Sequence, residues 1–259
     1  MCAECIVAES SLSGPGWALS LYPSAGEGGG CFVSSYRPQH FYVARGAAGD
    51  PQRASEEAGR RARGKLRRYC AANRLNRLGT LTYDGQGCHD PRQVRADVGG
   101  FFRALRVGLG GKPIPYVWVP EWHHTDHGLH LHFAVGRYIP KTRLRAAWDG
   151  PGHGFVHIKL LGDLPVGTTS LGEARMAARY LSKYVTKTFT DPTARVLGLH
   201  RYDVAQGFQP QALRLHGRSP DDVIAQGSDV FGMTPAYRWS SADVEGWAGP
   251  PAIWAQWGA

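Results

Sequence analysis

The sequence lacks the features that would place it in or beyond a membrane. No run of about 18 or more apolar residues occurs, and no charged segment followed by an apolar one opens the chain. A disulfide framework is also not expected, because the cysteines are odd in number and scattered. They are Cys2, Cys5, Cys31, Cys70 and Cys88. These absences predict a cytoplasmic protein with free thiols, although Cys2 and Cys5 have the spacing of half a zinc site.

A nucleotide-binding loop is absent as well. The sequence contains no Gly-x-x-x-x-Gly-Lys-Ser/Thr pattern. Residues 108–113 are rich in glycine and include a lysine, but they lack the hydroxyl residue and the spacing. We therefore expect no nucleotide cofactor and no ATPase activity in this chain.

Positive charge is in excess. The chain has 30 Lys and Arg against 21 Asp and Glu, which gives a formal net charge of +9. Guanidinium groups bind phosphates through two hydrogen bonds, so an arginine-rich excess favours a polyanionic partner such as a nucleic acid. The alternative is a protein that its charge merely keeps soluble and monomeric.

Much of this charge lies in residues 55–75, which we predict to be a helix with Ser55 as its N-cap. Charge runs on helices are often only solvated surface. We favour contact with a DNA backbone, because phosphates are what such a density of arginine neutralises. The candidate DNA-binding residues are Arg60, Arg61, Arg63, Lys65, Arg67 and Arg68.

Residues 116–135 contain the pattern around which we interpret the chain. Side chains on a strand alternate between faces, so His130 and His132 share one face while Leu129, Leu131 and Phe133 share the other. The segment before them, residues 115–121, is also strand-like, with residues 123–128 as a hairpin loop. The sequence thus predicts two imidazoles side by side on a rigid element.

The third ligand of this predicted metal site follows from the hairpin. A turn centred between Thr125 and Asp126 sets Glu121 opposite His130, and a turn centred one residue later sets it opposite His132. Either register brings the carboxylate to the histidine face, with His123 as the competing third ligand. Two imidazoles and a carboxylate suit Mn, Zn, Ni or Fe, and Mg with water ligands.

A second motif lies in residues 172–188, which we predict to be a helix. Tyr180 and Tyr184 are four residues apart and share one helix face. Lys183 and Lys187 each follow a tyrosine by three residues, where an ammonium group would favour the phenolate and bind phosphate oxygens. A tyrosine on such a helix is often only a core residue, but the pair beside a metal strand predicts at least one nucleophile, with Tyr180 favoured.

The His-hydrophobe-His strand followed by a tandem Tyr-x-x-Lys resembles the HUH endonucleases, and within them the rolling-circle replication initiators of plasmids and single-stranded-DNA phages. This resemblance covers residues 78–187. It implies a Mn²⁺- or Mg²⁺-dependent nickase and strand transferase acting on single-stranded DNA at a replication origin. It further implies a covalent 5′-phosphotyrosine intermediate, with helicase and polymerase supplied by a bacterial host.

The element pattern agrees with the fold that this resemblance implies. Strand, helix, strand, strand, helix, strand, helix is the order of an α+β sandwich, and the family's ferredoxin- or RRM-like domain has a central antiparallel sheet of about five strands with helices on its faces. We expect residues 1–75 to be an extension with the basic helix and residues 76–190 to be the catalytic domain. Residues 191–259, rich in tryptophan, are expected to pack on that domain, although their aromatic rings could instead stack on bases.

Two alternatives stay open. A relaxase or HUH transposase would share the site, but relaxases commonly use three histidines with the tyrosine near the N-terminus, and here the tyrosines follow the histidines. A DNA-binding regulator whose histidines hold structural zinc is the alternative outside the enzymes. It predicts closed metal ligation and no covalent adduct.

Overall fold

The computed structural model describes residues 14–35, 47–160, 168–191, 193, 195–196 and 199–258. The described strands are β1 Gly16–Tyr22, β2 Glu27–Val33, β3 Arg77–Tyr83, β4 Tyr116–Trp122, β5 Leu129–Val135, β6 His153–Leu160, β7 Asp203–Val204, β8 Leu213–Gly217, β9 Tyr237–Ser240 and β10 Ala252–Gln256. The described helices are α1 Pro51–Ala72, α2 Pro91–Gly108, α3 Lys141–Ala147, α4 Ser170–Thr190 and α5 Pro220–Phe231. Within these ranges no helix is long and apolar enough to span a membrane.

The elements form an α+β structure with two five-stranded antiparallel sheets, in agreement with the predicted fold class. One sheet has the order β6-β3-β5-β4-β7 and the other the order β8-β1-β2-β10-β9. The contacts divide the chain into two compact units, each containing one sheet. Residues 43–210 form the larger unit, and segments from both ends of the chain form the smaller one.

The sheet of the larger unit is covered by helices on both faces. Leu129, Leu131 and Phe133 of β5 pack in one cluster with α2 and α3. On the opposite face, Ala134 packs in a second cluster with residues of α1 and α4. The predicted alternation along β5 is therefore confirmed, because the apolar side chains of one parity are buried under α2 and the histidines have the other parity.

Local sequence signals set the helix starts of this unit. The predicted N-cap of α2 is confirmed, since the Asp90 carboxylate accepts a hydrogen bond from the Arg92 N–H at 2.8 Å and Pro91 follows it. The predicted start of α1 at Ser55 is wrong. The helix begins four residues earlier because Asp50 is the cap, and its carboxylate accepts from the Arg53 N–H at 2.9 Å.

The smaller unit corrects our expectation for the N-terminal glycines. We predicted residues 26–30 to be a break between two strands, but Gly28, Gly29 and Gly30 lie inside β2. A Cβ on Gly30 would lie 2.1 Å from the Ala18 carbonyl oxygen, so this strand pairing requires glycine. The hairpin of β1 and β2 belongs to the second sheet and does not extend the first.

The C-terminal region also has more regular structure than we expected beyond residue 191. Strand β10 pairs with β2, and Trp257 after it is 1% exposed in the core of the smaller unit. Its ring stacks on Phe231 of α5 at a centroid distance of 5.0 Å. These pairings divide the chain at other positions than the three predicted segments, because α1 lies in the larger unit and both chain ends share the smaller one. Packing of residues 191–259 on the catalytic domain stays a prediction.

Candidate active site

Strands β4 and β5 bring the predicted metal ligands together. The observed register sets Glu121 opposite His130 and Val119 opposite His132, so the hairpin turn is centred between Thr125 and Asp126. Of the two registers that the sequence allowed, the structure has the first. Glu121 and the two histidines consequently project from the same sheet face, each half-buried or buried.

The three ligand atoms converge on one point. The Nε2 atoms of His130 and His132 are 3.0 Å apart, and Glu121 Oε2 lies 3.2 Å from the first and 3.0 Å from the second. Adjacent ligands of an octahedral ion at about 2.1 Å lie about 3.0 Å apart, so this triangle has the size of one face of such a coordination shell. These three residues could therefore hold a metal ion.

The chemistry of the donors fits a cation for a second reason. Two imidazole nitrogens and a carboxylate oxygen at these distances repel one another through their lone pairs unless a proton or a cation lies between them. A divalent cation would satisfy all three at once. The ligand types suit the metals expected from the sequence, and the cluster does not by itself choose among them.

The electrostatic state of the ligands also suits metal binding. Burial opposes ionisation of the Glu121 carboxyl, but hydrogen bonds with His130 and His132 dominate and hold its pKa well below the ordinary range. Burial lowers the pKa of the His132 imidazole, which keeps it neutral. An anionic carboxylate and a neutral imidazole are the forms that bind metals.

The outer nitrogens of the two histidines differ in their surroundings. Thr80 Oγ1 on β3 lies 3.3 Å from His132 Nδ1, and this contact orients the ring so that Nε2 points at the cluster. His130 Nδ1 is buried and has no hydrogen-bond partner within the part of the chain that the structure describes. We did not identify Thr80 from the sequence. The alternation of residues 78–83 was the signal, since it places Thr80 on the same face as the histidines once β3 is paired with β5.

Helix α4 presents both tyrosines to this cluster. The Tyr184 ring stacks on His132 with a centroid distance of 4.0 Å and an interplanar angle of 14°. The Tyr180 ring meets His132 edge-on at 6.2 Å. The Tyr184 hydroxyl donates a hydrogen bond to the Tyr180 oxygen at 2.7 Å. Burial and this hydrogen bond raise the pKa of Tyr184.

The two lysines of the tandem motif lie in different surroundings. Lys187 Nζ is 3.3 Å from Glu121 Oε1, the carboxylate oxygen that does not face the histidine nitrogens. Lys183 is exposed, and its ammonium group lies 5.8 Å from the centroid of the Tyr180 ring. Lys187 therefore contacts the metal cluster directly, and Lys183 lies beside the favoured nucleophile.

The remaining histidines of the hairpin lie outside the triangle. His123 Nδ1 is 2.7 Å from Thr125 Oγ1, and its ring is 5.4 Å from that of His130. His127 Nε2 is 2.9 Å from the Tyr83 carbonyl oxygen. Among the described residues the cluster that could hold a metal consists of Glu121 and the two strand histidines. Glu121, and not His123, is thus the third member in the structure.

The predicted DNA-binding residues of α1 fall into two groups. Arg60, Arg61 and Lys65 are exposed. Arg63, Arg67 and Arg68 are half-buried, and Arg63 Nη1 donates to Thr186 Oγ1 of α4 at 3.4 Å. Part of the basic set therefore helps to join α1 to the tyrosine helix, while the exposed part is accessible to a polyanion. Cys2 and Cys5, the possible half of a zinc site, lie outside the described residues.

Comparison with known proteins adds one finding. The sequence model of a family described as a replication-associated protein of the ORF2 type matches residues 76–189. The matched region runs from β3 to α4, so it includes both metal strands and the tyrosine helix. No curated protein and no solved structure gives a significant match. This similarity supports a role as a replication initiator that binds DNA at an origin.

Proposed function

We propose that this chain is a metal-dependent, site-specific single-strand DNA nickase and strand transferase that initiates rolling-circle replication of a plasmid or related mobile element. The observation that carries the proposal is the meeting of two arrangements on one sheet face. Three ligand atoms converge within 3.2 Å, and two tyrosines contact one of the ligand residues from α4. A structural metal site has no need of two phenols against it.

A phosphodiester resists attack because it is negatively charged, so catalysis needs a cation at a non-bridging oxygen, a positioned nucleophile and stabilisation of the developing charge. A divalent cation, Mn²⁺ or Mg²⁺, held by Glu121, His130 and His132 would serve as the Lewis acid. Lys187 holds the Glu121 carboxylate, and Lys183 is available to a phosphate oxygen. The half-buried ligands keep the site partly shielded from water, which strengthens these interactions.

Tyr180 is the favoured primary nucleophile. Its oxygen accepts the hydrogen bond from Tyr184, and a donor at this position stabilises the Tyr180 phenolate. Tyr180 Oη attacks the phosphorus, the bond from phosphorus to the 3′ oxygen breaks, and the phenolic proton passes to water while the 3′ oxygen takes one up. One phosphodiester replaces another, so the strand can be rejoined.

The products are a 5′-phosphotyrosine link and a free 3′-hydroxyl that a polymerase can extend. Tyr184 lies against the same cluster and would serve a second cleavage when replication returns to the origin. The exposed basic residues of α1 would bind the DNA backbone near the site. Unwinding and synthesis fall to a helicase and a polymerase of a bacterial host, and the cytoplasm is the compartment in which they would act.

The test is covalent capture of DNA. Labelled single-stranded oligonucleotide libraries would be incubated with the protein and Mn²⁺ or Mg²⁺, and then resolved by denaturing electrophoresis. We expect a metal-dependent protein–DNA adduct that the Tyr180→Phe/Tyr184→Phe double variant does not form. A zinc-stabilised DNA-binding regulator predicts no adduct, with DNA binding intact in the double variant, and that result would replace our proposal.

A further inference from the structure

The sheet face that carries the metal cluster continues onto strand β6. Strand β3 pairs with both β5 and β6, and the register aligns His132, Thr80 and His157 across the three strands. Neighbouring strands lie about 4.8 Å apart, so the His157 backbone is about 10 Å from that of His132. Because side chains alternate along a strand, Phe155, His157 and Lys159 all project from the histidine face.

Burial along β6 confirms this alternation. Val156 is 4% exposed and Ile158 packs against the core on the α2 side. Phe155, in contrast, is 80% exposed. A phenyl ring exposed to that extent adds little to the stability of the core. An exposed aromatic group beside a candidate active site is more often explained by binding than by folding.

The main chain at Phe155 is held in place although its ring is not. The Thr82 hydroxyl accepts a hydrogen bond from the Phe155 N–H at 2.8 Å and donates one to the Phe155 carbonyl oxygen at 3.1 Å. These bonds lie where the register between β3 and β6 shifts. The ring is therefore presented on a fixed backbone, which reduces the entropy lost when a ligand binds to it.

The charge around the ring favours a polyanion. His157 and Lys159 on the same face are exposed, and β6 contains no acidic residue. An aromatic ring beside cationic side chains is the combination with which proteins bind single-stranded nucleic acid, because bases stack on the ring while the cations meet the backbone. The bases of a duplex are already stacked and paired, so they are not available to such a ring.

We propose that Phe155, together with His157 and Lys159, forms a stacking platform for an unpaired base of single-stranded DNA. This deepens the proposed function and rests on it, since the DNA would be the strand whose scissile phosphate lies at the metal cluster. Strands β5 and β6 run in the same direction, so Phe155 lies on the His130 side of the aligned row. The platform thus holds the strand about 10 Å from the metal ligands, at a distance that one extended piece of the strand can bridge.

The test measures binding without cleavage. Fluorescence anisotropy of a labelled random-sequence single strand of about 20 nucleotides would be recorded with the full chain in excess EDTA. Phe155→Leu keeps apolar bulk but removes the ring, and we expect its Kd to rise about fivefold or more. Phe155→Trp keeps a stacking surface and should bind within about twofold of wild type. Tyr138→Leu, at a residue that is 71% exposed, is the matched control and should change nothing.

Three outcomes would overturn the platform. Phe155→Leu could bind single strands as tightly as wild type, or it could lose duplex binding to the same extent, which a stacking site does not explain. It could also change the molar mass in light scattering with DNA binding intact, which would make Phe155 a contact between copies of the chain. Since EDTA excludes metal-dependent cleavage, these results are independent of whether the wild type forms a covalent adduct.

Discussion

The Glu121→Gln variant tests whether the three-residue cluster binds metal in the folded protein. A ligand that binds only the native state stabilises it by RT ln(1 + [L]/Kd), which is about 2.7 kcal/mol at a hundred times Kd. For a unit the size of residues 43–210, about 2–4 °C in Tm corresponds to each kcal/mol, so saturating metal should raise Tm by about 5–11 °C.

The substitution keeps the shape of the side chain and removes its charge. Loss of groups that only support metal ligands typically lowers metal affinity about 10- to 100-fold, and Glu121 is itself a ligand in our account. At a hundredfold loss, the same metal concentration stabilises by only about 0.4 kcal/mol. Without metal we expect a change of about 1 kcal/mol, because glutamine can still hydrogen-bond with the histidines and Lys187.

The assay is thermal unfolding of metal-stripped protein titrated with Mn²⁺ and with Mg²⁺. The metal-induced rise should fall to about 1–2 °C in Glu121→Gln. Glu57→Gln is the control, because Glu57 is a partly exposed helix carboxylate that pairs with Arg53 far from the cluster in sequence. A full metal-induced rise in Glu121→Gln, or no rise in the wild type, would refute the assignment of these ligands.

Three further predictions concern the core, the basic helix and the pH dependence of metal binding. Gly79→Ala should lower the free energy of unfolding in urea by about 1–3 kcal/mol, because its Cβ would lie 2.2 Å from Phe133 Cζ, whereas Gly108→Ala meets nothing within 4 Å and should change it by less than about 0.5 kcal/mol; equal effects would contradict this packing. Replacing Arg60, Arg61 and Lys65 by glutamine should lower the slope of log K against log salt for single-stranded DNA by about 0.7 for each phosphate that is no longer bound, while the same change at Arg92, Arg95 and Arg103 of α2 should leave the slope unchanged. A slope that the α1 substitutions do not alter would remove this helix from the DNA interface. Because burial lowers the pKa of His132, its imidazole stays neutral to lower pH than an ordinary histidine, so calorimetric Mn²⁺ affinity should weaken less between about pH 7.5 and 6.0 than in an unfolded His-x-His peptide; an equal loss would contradict it.

The elements that position the site could be predicted from the sequence because their signals are local. Alternation fixes which side of β5 carries the histidines, and Asp90 with Pro91 marks the start of α2. The contact of Glu121 with His130 also followed, since a short hairpin allows few registers. What could not be decided was which register holds, because both place the carboxylate on the correct face.

The errors lie where structure depends on distant partners. Gly30 indicates a break when the sequence is considered alone, but it is required by the approach of the Ala18 carbonyl on the neighbouring strand. Strand β10 is short and finds its partner β2 more than two hundred residues earlier, and no local pattern reports such pairing. Helix α5 did carry a local signal that we missed, with Ser219 as N-cap and Gly232 as a left-handed C-cap.

The lysines illustrate the same limit within the site. Their spacing from the tyrosines is a property of α4 alone, so it predicts a shared face and nothing about the residues opposite. In the structure Lys187 Nζ lies 3.3 Å from Glu121 of β4, which only the packing of the helix on the sheet determines. Its role is consequently tied to the metal cluster, whereas the sequence had suggested the phenolate.

Mass spectrometry of the trapped protein–DNA adduct tests the central claim most directly. After reaction with metal and single-stranded DNA, nuclease and protease digestion would leave a short nucleotide on the peptide that contains the attached residue. Our account predicts a phosphotyrosine at Tyr180, shifting to Tyr184 when Tyr180 is replaced by phenylalanine. Attachment at any other residue, or an adduct that persists without both tyrosines, would contradict it.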